Sequence, residues 1–163
     1  MAFFAELNAQ NKVLRVMVVG DEHVSFPKDP AAEQWCLDNF KPDPSIPLEN
    51  GVYPGVKWKE TFQNGIRGAY AGTGWTYLEA EDRFVAPKPF PSWIIDNNFG
   101  WQPPIAYPII DDLGNALPRG AFYPDSLFID WNEDLMTWIG SRKQGVSVIY
   151  KKWNSTNKNW ENK

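Results

Sequence analysis

Apolar residues near the N-terminus fall into two segments that predict a β-hairpin. Residues 3–7 and 13–19 are mostly apolar, and the turn-forming residues 8–12 separate them. The second segment, Val-Leu-Arg-Val-Met-Val-Val, is almost continuously apolar, which is typical of a strand covered on both faces. We therefore expect this hairpin to contribute much of the core.

A helical pattern follows the hairpin. Asp29 is a favourable N-cap, Pro30 suits the first helical position, and apolar residues recur at positions 32, 36, 37 and 40. This pattern predicts one short α-helix over about residues 30–40.

The next part of the chain predicts a loop and then strands. Residues 41–56 contain four prolines and two glycines and predict a long connection. Residues 56–62 alternate and predict a strand, and residues 66–76 are also strand-like. Glycines 68, 72 and 74 in that second segment indicate a bend or bulge where another backbone comes close.

Pairs of large apolar residues, separated mostly by polar ones, repeat along the chain. A central turn of about four residues would place the two members opposite each other on adjacent strands, where their contact stabilises the hairpin by roughly 0.2–1 kcal/mol. The pairs are Tyr77 and Phe84, Trp131 and Trp138, Trp153 and Trp160, a one-residue-longer version at Trp93 and Trp101, and an aliphatic version at Leu7 and Leu14.

The fold expected from these patterns is mainly β: a hairpin-rich antiparallel sheet with one short helix. Residues 86–92 and 102–108 are rich in proline and predict stiff extended straps between the hairpins. Residues 111–125 predict an insertion loop, and residues 151–163 predict a polar terminal arm. We expect a compact body over residues 1–108 and a hairpin appendage with that arm over 109–163, or one continuous domain.

Charge and composition narrow the class of function. The formal net charge is −4, and the basic residues are scattered apart from Lys151 and Lys152, so we expect no nucleic-acid binding. A single cysteine, Cys36, excludes an intrachain disulfide. The sequence contains no apolar run of about 18 residues and starts without a secretory signal pattern. We therefore expect synthesis in a cytoplasm and no membrane insertion.

Catalytic chemistry has few candidate residues. His23 is the only histidine and lies in a polar segment, where we expect a solvated side chain. Neither a nucleophile motif nor a phosphate-binding loop is present. Acidic clusters at 79–82, 111–112 and 130–134 would suit a glycosidase carboxylate pair or a calcium site, but they lie at predicted turns, where carboxylates are expected as solvated hairpin tips. The sequence thus predicts a protein that is not an enzyme and uses no cofactor or metal.

A series of short motifs resembles small structural proteins of cyanophages and other marine tailed bacteriophages. The resemblance implies a non-enzymatic virion protein, either a capsid decoration or tail-associated, that binds neighbouring capsid or tail subunits in a multi-copy assembly. The motifs are Phe90-Pro91-Ser92-Trp93, Trp101-Gln102-Pro103-Pro104, Tyr107-Pro108, Trp131-Asn132-Glu133 and Trp138, preceded by Phe4-Ala5-Glu6-Leu7-Asn8, Val13-Leu14-Arg15-Val16, Arg67, Tyr70-Ala71-Gly72 and Gly74.

The aromatic residues also allow an alternative function, a carbohydrate-binding module for host attachment. Exposed aromatic faces can stack on sugar rings, and Trp153 and Trp160 are the first candidates because they lie in a polar arm. Structural pairing competes with this interpretation, since it explains the spacing without a ligand. The candidate interaction residues for either function are Phe90, Trp93, Trp101, Tyr107, Trp131, Trp138, Trp153 and Trp160.

Overall fold

The computed structural model describes residues 1–117 and 127–163 of the chain. The protein is mainly β, with several antiparallel sheets and one short α-helix in the described residues, which confirms the expected fold class. The chain divides into two compact units, Met1–Pro87 and Lys88–Lys163. This boundary precedes the expected one after residue 108, because Phe90, Trp93 and Ile105 pack around Trp131 within the second unit.

The first unit is built on a three-stranded antiparallel sheet. Its strands are β1 (Ala2–Leu7), β2 (Val13–Val19) and β3 (Lys57–Thr61), in the order β2-β1-β3. The N-terminal hairpin is therefore confirmed. The expected pairing of Leu7 with Leu14 is wrong, because the register shifts after Glu6 and places Leu7 opposite Val13.

One face of this sheet is covered by helix α1 (Pro30–Asn39). The Asp29 carboxylate accepts a hydrogen bond from the Ala31 N–H at 2.9 Å and so caps the helix as the sequence predicts. Ala32 and Cys36 of the helix are buried with Phe4 of β1. Burial raises the pKa of the Cys36 thiol to about 12.

The opposite face of the sheet is covered by a short hairpin made of β4 (Thr76–Leu78) and β5 (Arg83–Val85). Because side chains alternate along a strand, Ala5 and Leu7 point away from the helix. They form a second buried cluster with Tyr77 and Phe84 of the hairpin. The sheet is thus covered on both faces, as the continuous apolar pattern of β2 predicts, except at Val18, which is 50% exposed.

The strand expected over residues 66–76 is wrong. Gly65, Gly68 and Gly74 adopt positive φ angles of 82°, 81° and 85°, which break an extended run into turns. Gly68 makes an isolated bridge to Phe84, and a Cβ atom on Gly68 would lie 3.1 Å from the Phe84 carbonyl oxygen. The close approach of another backbone, which the glycines indicate, is therefore confirmed at Gly68.

The second unit contains a four-stranded antiparallel sheet and a small hairpin. The strands of the unit are β6 (Ile94–Ile95), β7 (Trp101–Gln102), β8 (Phe128–Asn132), β9 (Thr137–Gln144), β10 (Ser147–Asn154) and β11 (Asn159–Asn162). The sheet has the order β11-β10-β9-β8, so residues that were expected to form a polar arm form β11 and the second half of β10.

The segment ahead of β8 is described in part. The carboxylate of Asp111 accepts hydrogen bonds from the N–H groups of Leu113 and Asn115, at 2.9 and 2.7 Å, and closes a turn. The remainder of the expected insertion loop, residues 118–125, lies outside the described residues. No helix within residues 1–117 and 127–163 is long and apolar enough to cross a membrane.

Candidate functional site

The paired aromatic residues of the second unit are opposite each other on adjacent strands. Trp131 of β8 faces Trp138 of β9, and their ring centroids are 5.2 Å apart. Trp153 of β10 faces Trp160 of β11, with centroids 5.3 Å apart. Both ring pairs are edge-to-face, an arrangement that aromatic quadrupoles favour. The seven-residue spacing therefore predicted both cross-strand pairs correctly.

The same spacing is confirmed in the first unit, where Tyr77 faces Phe84 with ring centroids 5.1 Å apart. Each of the three confirmed pairs contains a residue with a positive φ angle in its turn: Asp82, Met136 and Lys158. A left-handed residue lets four-residue turns close with the flanking residues in register. The repeat is therefore a structural device that both units share.

The pairing expected for Trp93 and Trp101 is wrong. The Asp96 carboxylate accepts hydrogen bonds from the N–H groups of Asn98 and Gly100, both at 2.8 Å, and this turn places Trp101 opposite Ile95. Trp93 lies outside the strand. The turn lies at residues 96–100, so Ile95 takes the position opposite Trp101 and the Trp93 ring is free to pack elsewhere.

The Trp93 ring packs on the four-stranded sheet. Its centroid is 6.4 Å from that of Trp131, 6.3 Å from that of Trp138 and 5.5 Å from that of Phe90. Phe90, Trp93, Trp131 and Trp138 are therefore in one cluster, which also includes the buried Trp153 and the partly buried Trp160. Six of the eight candidate residues are thus together in the core of the second unit.

Indole N–H groups attach the strap over residues 102–108, and the residues that follow it, to the sheet. Trp138 Nε1 donates a hydrogen bond to the Ile105 carbonyl oxygen at 3.0 Å, and Trp160 Nε1 donates to that of Ile110 at 2.8 Å. Tyr107, in the same strap, packs edge-to-face on Trp138 with centroids 4.9 Å apart. Each ring therefore contributes both apolar contact and a directed hydrogen bond.

Glu133, which directly follows β8, connects Ser92 and Trp131 of the sequence motifs. Its carboxylate accepts hydrogen bonds from Trp131 Nε1, Ser92 Oγ and the Ser92 N–H, all at 2.8 Å. Desolvation raises the pKa of this carboxyl, but the hydrogen bonds from Trp131 and Ser92 outweigh it and hold the pKa below its ordinary value. Glu133 was expected as a solvated turn residue, and the structure instead makes it a link between strap and sheet.

Ring exposure bears directly on the carbohydrate alternative. Trp131, Trp138 and Trp153 are only 5%, 6% and 6% exposed. Trp153 and Trp160 were the first candidates for sugar stacking, because the polar arm was expected to have little core to join. This reason is wrong, because Trp153 is buried in the tryptophan core. Tyr107 is 43% exposed, and Trp101 is half-buried beneath the Lys88 ammonium, 5.7 Å from the ring centroid.

The four-stranded sheet has a second face, opposite the tryptophan core, which we name the outer face. Phe128, Ser141 and Tyr150 form one cross-strand row on it, and Val148 lies on the same face. Phe128, Val148 and Tyr150 are largely exposed. Apolar side chains grouped on one exposed face often mark protein contact sites.

The first unit contains an ion-pair network that the sequence did not indicate. Arg67 is 5% exposed; its guanidinium donates to Glu33 of α1 at 2.8 Å, to Asp82 at 2.6 Å and to the Glu60 carbonyl oxygen at 3.0 Å. Lys28 Nζ and the Tyr77 hydroxyl also donate to Asp82, each at 2.5 Å. The expected solvated hairpin tip is therefore wrong for Asp82, which connects several elements.

This network shifts the ionisation of its members. Burial raises the pKa of Asp82, but the hydrogen bonds from Lys28 and Tyr77 and the charge of Arg67 outweigh it and lower the pKa to about 2. Burial and the hydrogen bond to Asp82 raise the pKa of Tyr77 above its ordinary range. Asp82 therefore stays ionised and Tyr77 neutral at physiological pH.

His23 packs in an ordered environment. Its ring stacks on the Trp35 indole with centroids 4.0 Å apart, so its expected solvation holds only in part. Among the described residues, no group of three His, Cys, Asp or Glu side chains is arranged to hold a metal ion.

The chain matches none of the protein-family models, curated proteins or solved structures with which it was compared.

Proposed function

We propose that this chain is a non-enzymatic structural protein of a bacteriophage virion that binds neighbouring capsid or tail subunits. The observation that carries the proposal is where the motif residues lie. Phe90, Trp93, Trp131 and Trp138 pack together, and Ser92 and Glu133 hydrogen-bond beside them. The motifs that resemble marine phage proteins therefore specify the packing of the second unit.

The outer face supports the same proposal. Phe128 and Tyr150 present their rings to solvent from the same cross-strand row, on either side of Ser141, and Val148 lies on the same face. The strands that carry this face pack on their opposite side against the tryptophan core. A rigid surface with exposed aromatic residues suits contact with another protein subunit, because little side-chain entropy is lost on binding.

Mass spectrometry of purified phage particles tests the proposal, with heads and tails separated before quantification. Many copies with heads support a capsid decoration protein, and few copies with tails support a tail component. Absence of the polypeptide from particles whose major capsid protein is readily detected would overturn the virion role.

A matched pair of variants tests the use of the outer face in particles. Tyr150→Asp places a charge on the outer face and should reduce the copy number per particle. Asn157→Asp changes an exposed residue in the turn between β10 and β11 and should leave the copy number unchanged. Equal incorporation of both variants would contradict a role for the outer face.

A further inference from the structure

Strand β2 has an unpaired backbone edge on the side away from β1. Val13 alone uses that side: its N–H donates to the Trp75 carbonyl oxygen at 2.7 Å, and its carbonyl oxygen accepts from the Gly74 N–H at 2.8 Å. Within the described parts of the chain, no group hydrogen-bonds to the outer edge of residues 14–19. In an antiparallel strand, every second residue points both its N–H and its carbonyl oxygen to the same side of the strand. The outer side of β2 therefore offers a row of free hydrogen-bond donors and acceptors.

The opposite edge of the same sheet is protected. On β3, the Glu60 N–H donates to a Glu33 carboxylate oxygen at 3.3 Å, and the Glu60 carbonyl oxygen accepts from the Arg67 guanidinium at 3.0 Å. Side chains of the ion-pair network thus occupy backbone groups that another strand would need. The two edges differ, and only the β2 edge is open to strand addition.

The sequence of β2 lacks the residues that usually block an edge. It contains no proline, lysine or glycine, and Val18 is 50% exposed. Its one charge, Arg15, is directed away from the edge: Arg15 Nε donates to Glu6 at 2.5 Å, and Nη2 donates to the Lys41 carbonyl oxygen at 2.8 Å. The edge is therefore uncharged as well as unpaired.

We propose that β2 pairs antiparallel with β2 of a second copy of this chain, joining two three-stranded sheets into one of six strands. A two-fold axis at Met17 places Val16 opposite Val18 of the partner subunit, and Arg15 opposite Val19 of the partner subunit. This inference goes beyond the proposed virion role and does not depend on it.

The charges and the side-chain alternation of β2 select a second copy as the occupant. In this register the two Arg15 side chains lie at opposite ends of the paired segment, so no like charges face each other. Every other cross-strand pair is apolar, and β-branched pairs are among those that stabilise sheets. Paired residues of the two strands, such as Val16 and Val18 of the partner subunit, differ by an even number of positions, so their side chains point to the same face of the sheet. Each apolar face of one subunit therefore continues onto the other across the two-fold axis.

Sedimentation equilibrium over a range of concentrations tests the pairing with two matched variants. Val18→Lys charges the edge strand, and Val56→Lys makes the same change at a residue of similar exposure, 48%, that directly precedes β3. Wild type should dimerise, Val18→Lys should raise the dimer dissociation constant at least about tenfold, and Val56→Lys should leave it unchanged. A monomeric wild type, or equal effects of both variants, would overturn the proposal.

Cysteine cross-linking tests the register without relying on a charged variant. In a Cys36→Ala background, Met17→Cys places two thiols at the two-fold axis, where opposed Cα atoms are about 4.5–5.5 Å apart and within disulfide range. Mild oxidation should give a covalent dimer with Met17→Cys and none with Val56→Cys. Failure of Met17→Cys to cross-link would overturn the register and the pairing. Particle incorporation is a separate measurement, so either proposal can fail alone.

Discussion

Arg67 and Glu33 form a salt bridge of 2.8 Å that ties a loop of the first unit to its only described α-helix. The same guanidinium pairs with Asp82 at 2.6 Å, at the tip of the β4–β5 hairpin. The helix and the hairpin cover opposite faces of the three-stranded sheet, so the Arg67 side chain connects the two elements that enclose that sheet. Arg67 is therefore a central structural residue of the first unit.

Replacing Arg67 should destabilise the first unit strongly. Arg67→Leu keeps apolar bulk but leaves the Glu60 carbonyl oxygen without its donor and removes one of the two cations that pair with Glu33, which keeps Lys59 at 2.7 Å. Removing one member of a buried pair costs about 3 kcal/mol. Urea unfolding followed by circular dichroism measures the loss. Lys57→Leu is the control, because Lys57 pairs with the exposed Glu79 and such surface pairs contribute little. Equal losses for the two variants would contradict the central role of Arg67.

Asp82 should make stability fall in strong acid. Its pKa is lowered from 3.8 to about 2, so its contribution is fully present above pH 3.8 and is lost as the pH falls through about 2. Because Asp82 is partly exposed, screening limits this contribution to about 1 kcal/mol. The stability difference between wild type and Asp82→Asn should therefore be present at pH 5, decline as the pH falls below 3.8 and disappear below about pH 2. Asparagine tolerates the φ angle of 46° at this position, so the variant adds no backbone strain.

Local spacing made a large part of the fold predictable. Tyr77 and Phe84, like Trp131 and Trp138, are close in sequence, and a four-residue turn fixes their meeting without any other part of the chain. The same holds for the Asp29 cap of α1. Where the turn is longer, as at Asp96, Ile95 lies opposite Trp101, two residues from Trp93, and the Trp93 prediction is wrong.

Contacts between distant segments were not predictable. Arg67 meets Glu33 only because the sheet brings the helix and a glycine-rich loop together, and neither residue carries a spacing signal. Trp153 was assigned to a polar arm because its neighbours in sequence are polar. Its burial follows from the alternation of β10, which turns Trp153 toward the core while Lys152 and Asn154 lie on the outer face.

Trp153 should contribute far more to stability than Tyr150, although both are aromatic residues on β10. Trp153→Ala removes a ring from the tryptophan core and should cost about 3–5 kcal/mol. Tyr150→Ala removes a ring that is 55% exposed and should change stability by about 0.5 kcal/mol or less. Thermal and urea unfolding of the two variants measure the difference. Similar stabilities would mean that Trp153 does not hold the sheet.

Gly140 and Leu127 should be strongly coupled. A Cβ atom on Gly140 would lie 2.3 Å from Leu127 Cδ2 and 2.6 Å from Leu127 Cγ, and the Leu127 side chain is buried and cannot swing into solvent. Gly140→Ala should therefore cost about 1–3 kcal/mol by overpacking. In a Leu127→Ala background the same change fills vacated space, so it should be neutral or stabilising. A double-mutant cycle measured by urea unfolding should give a coupling energy of about 1 kcal/mol or more. Strict additivity of the two changes would show that this glycine is not required by the packing of Leu127.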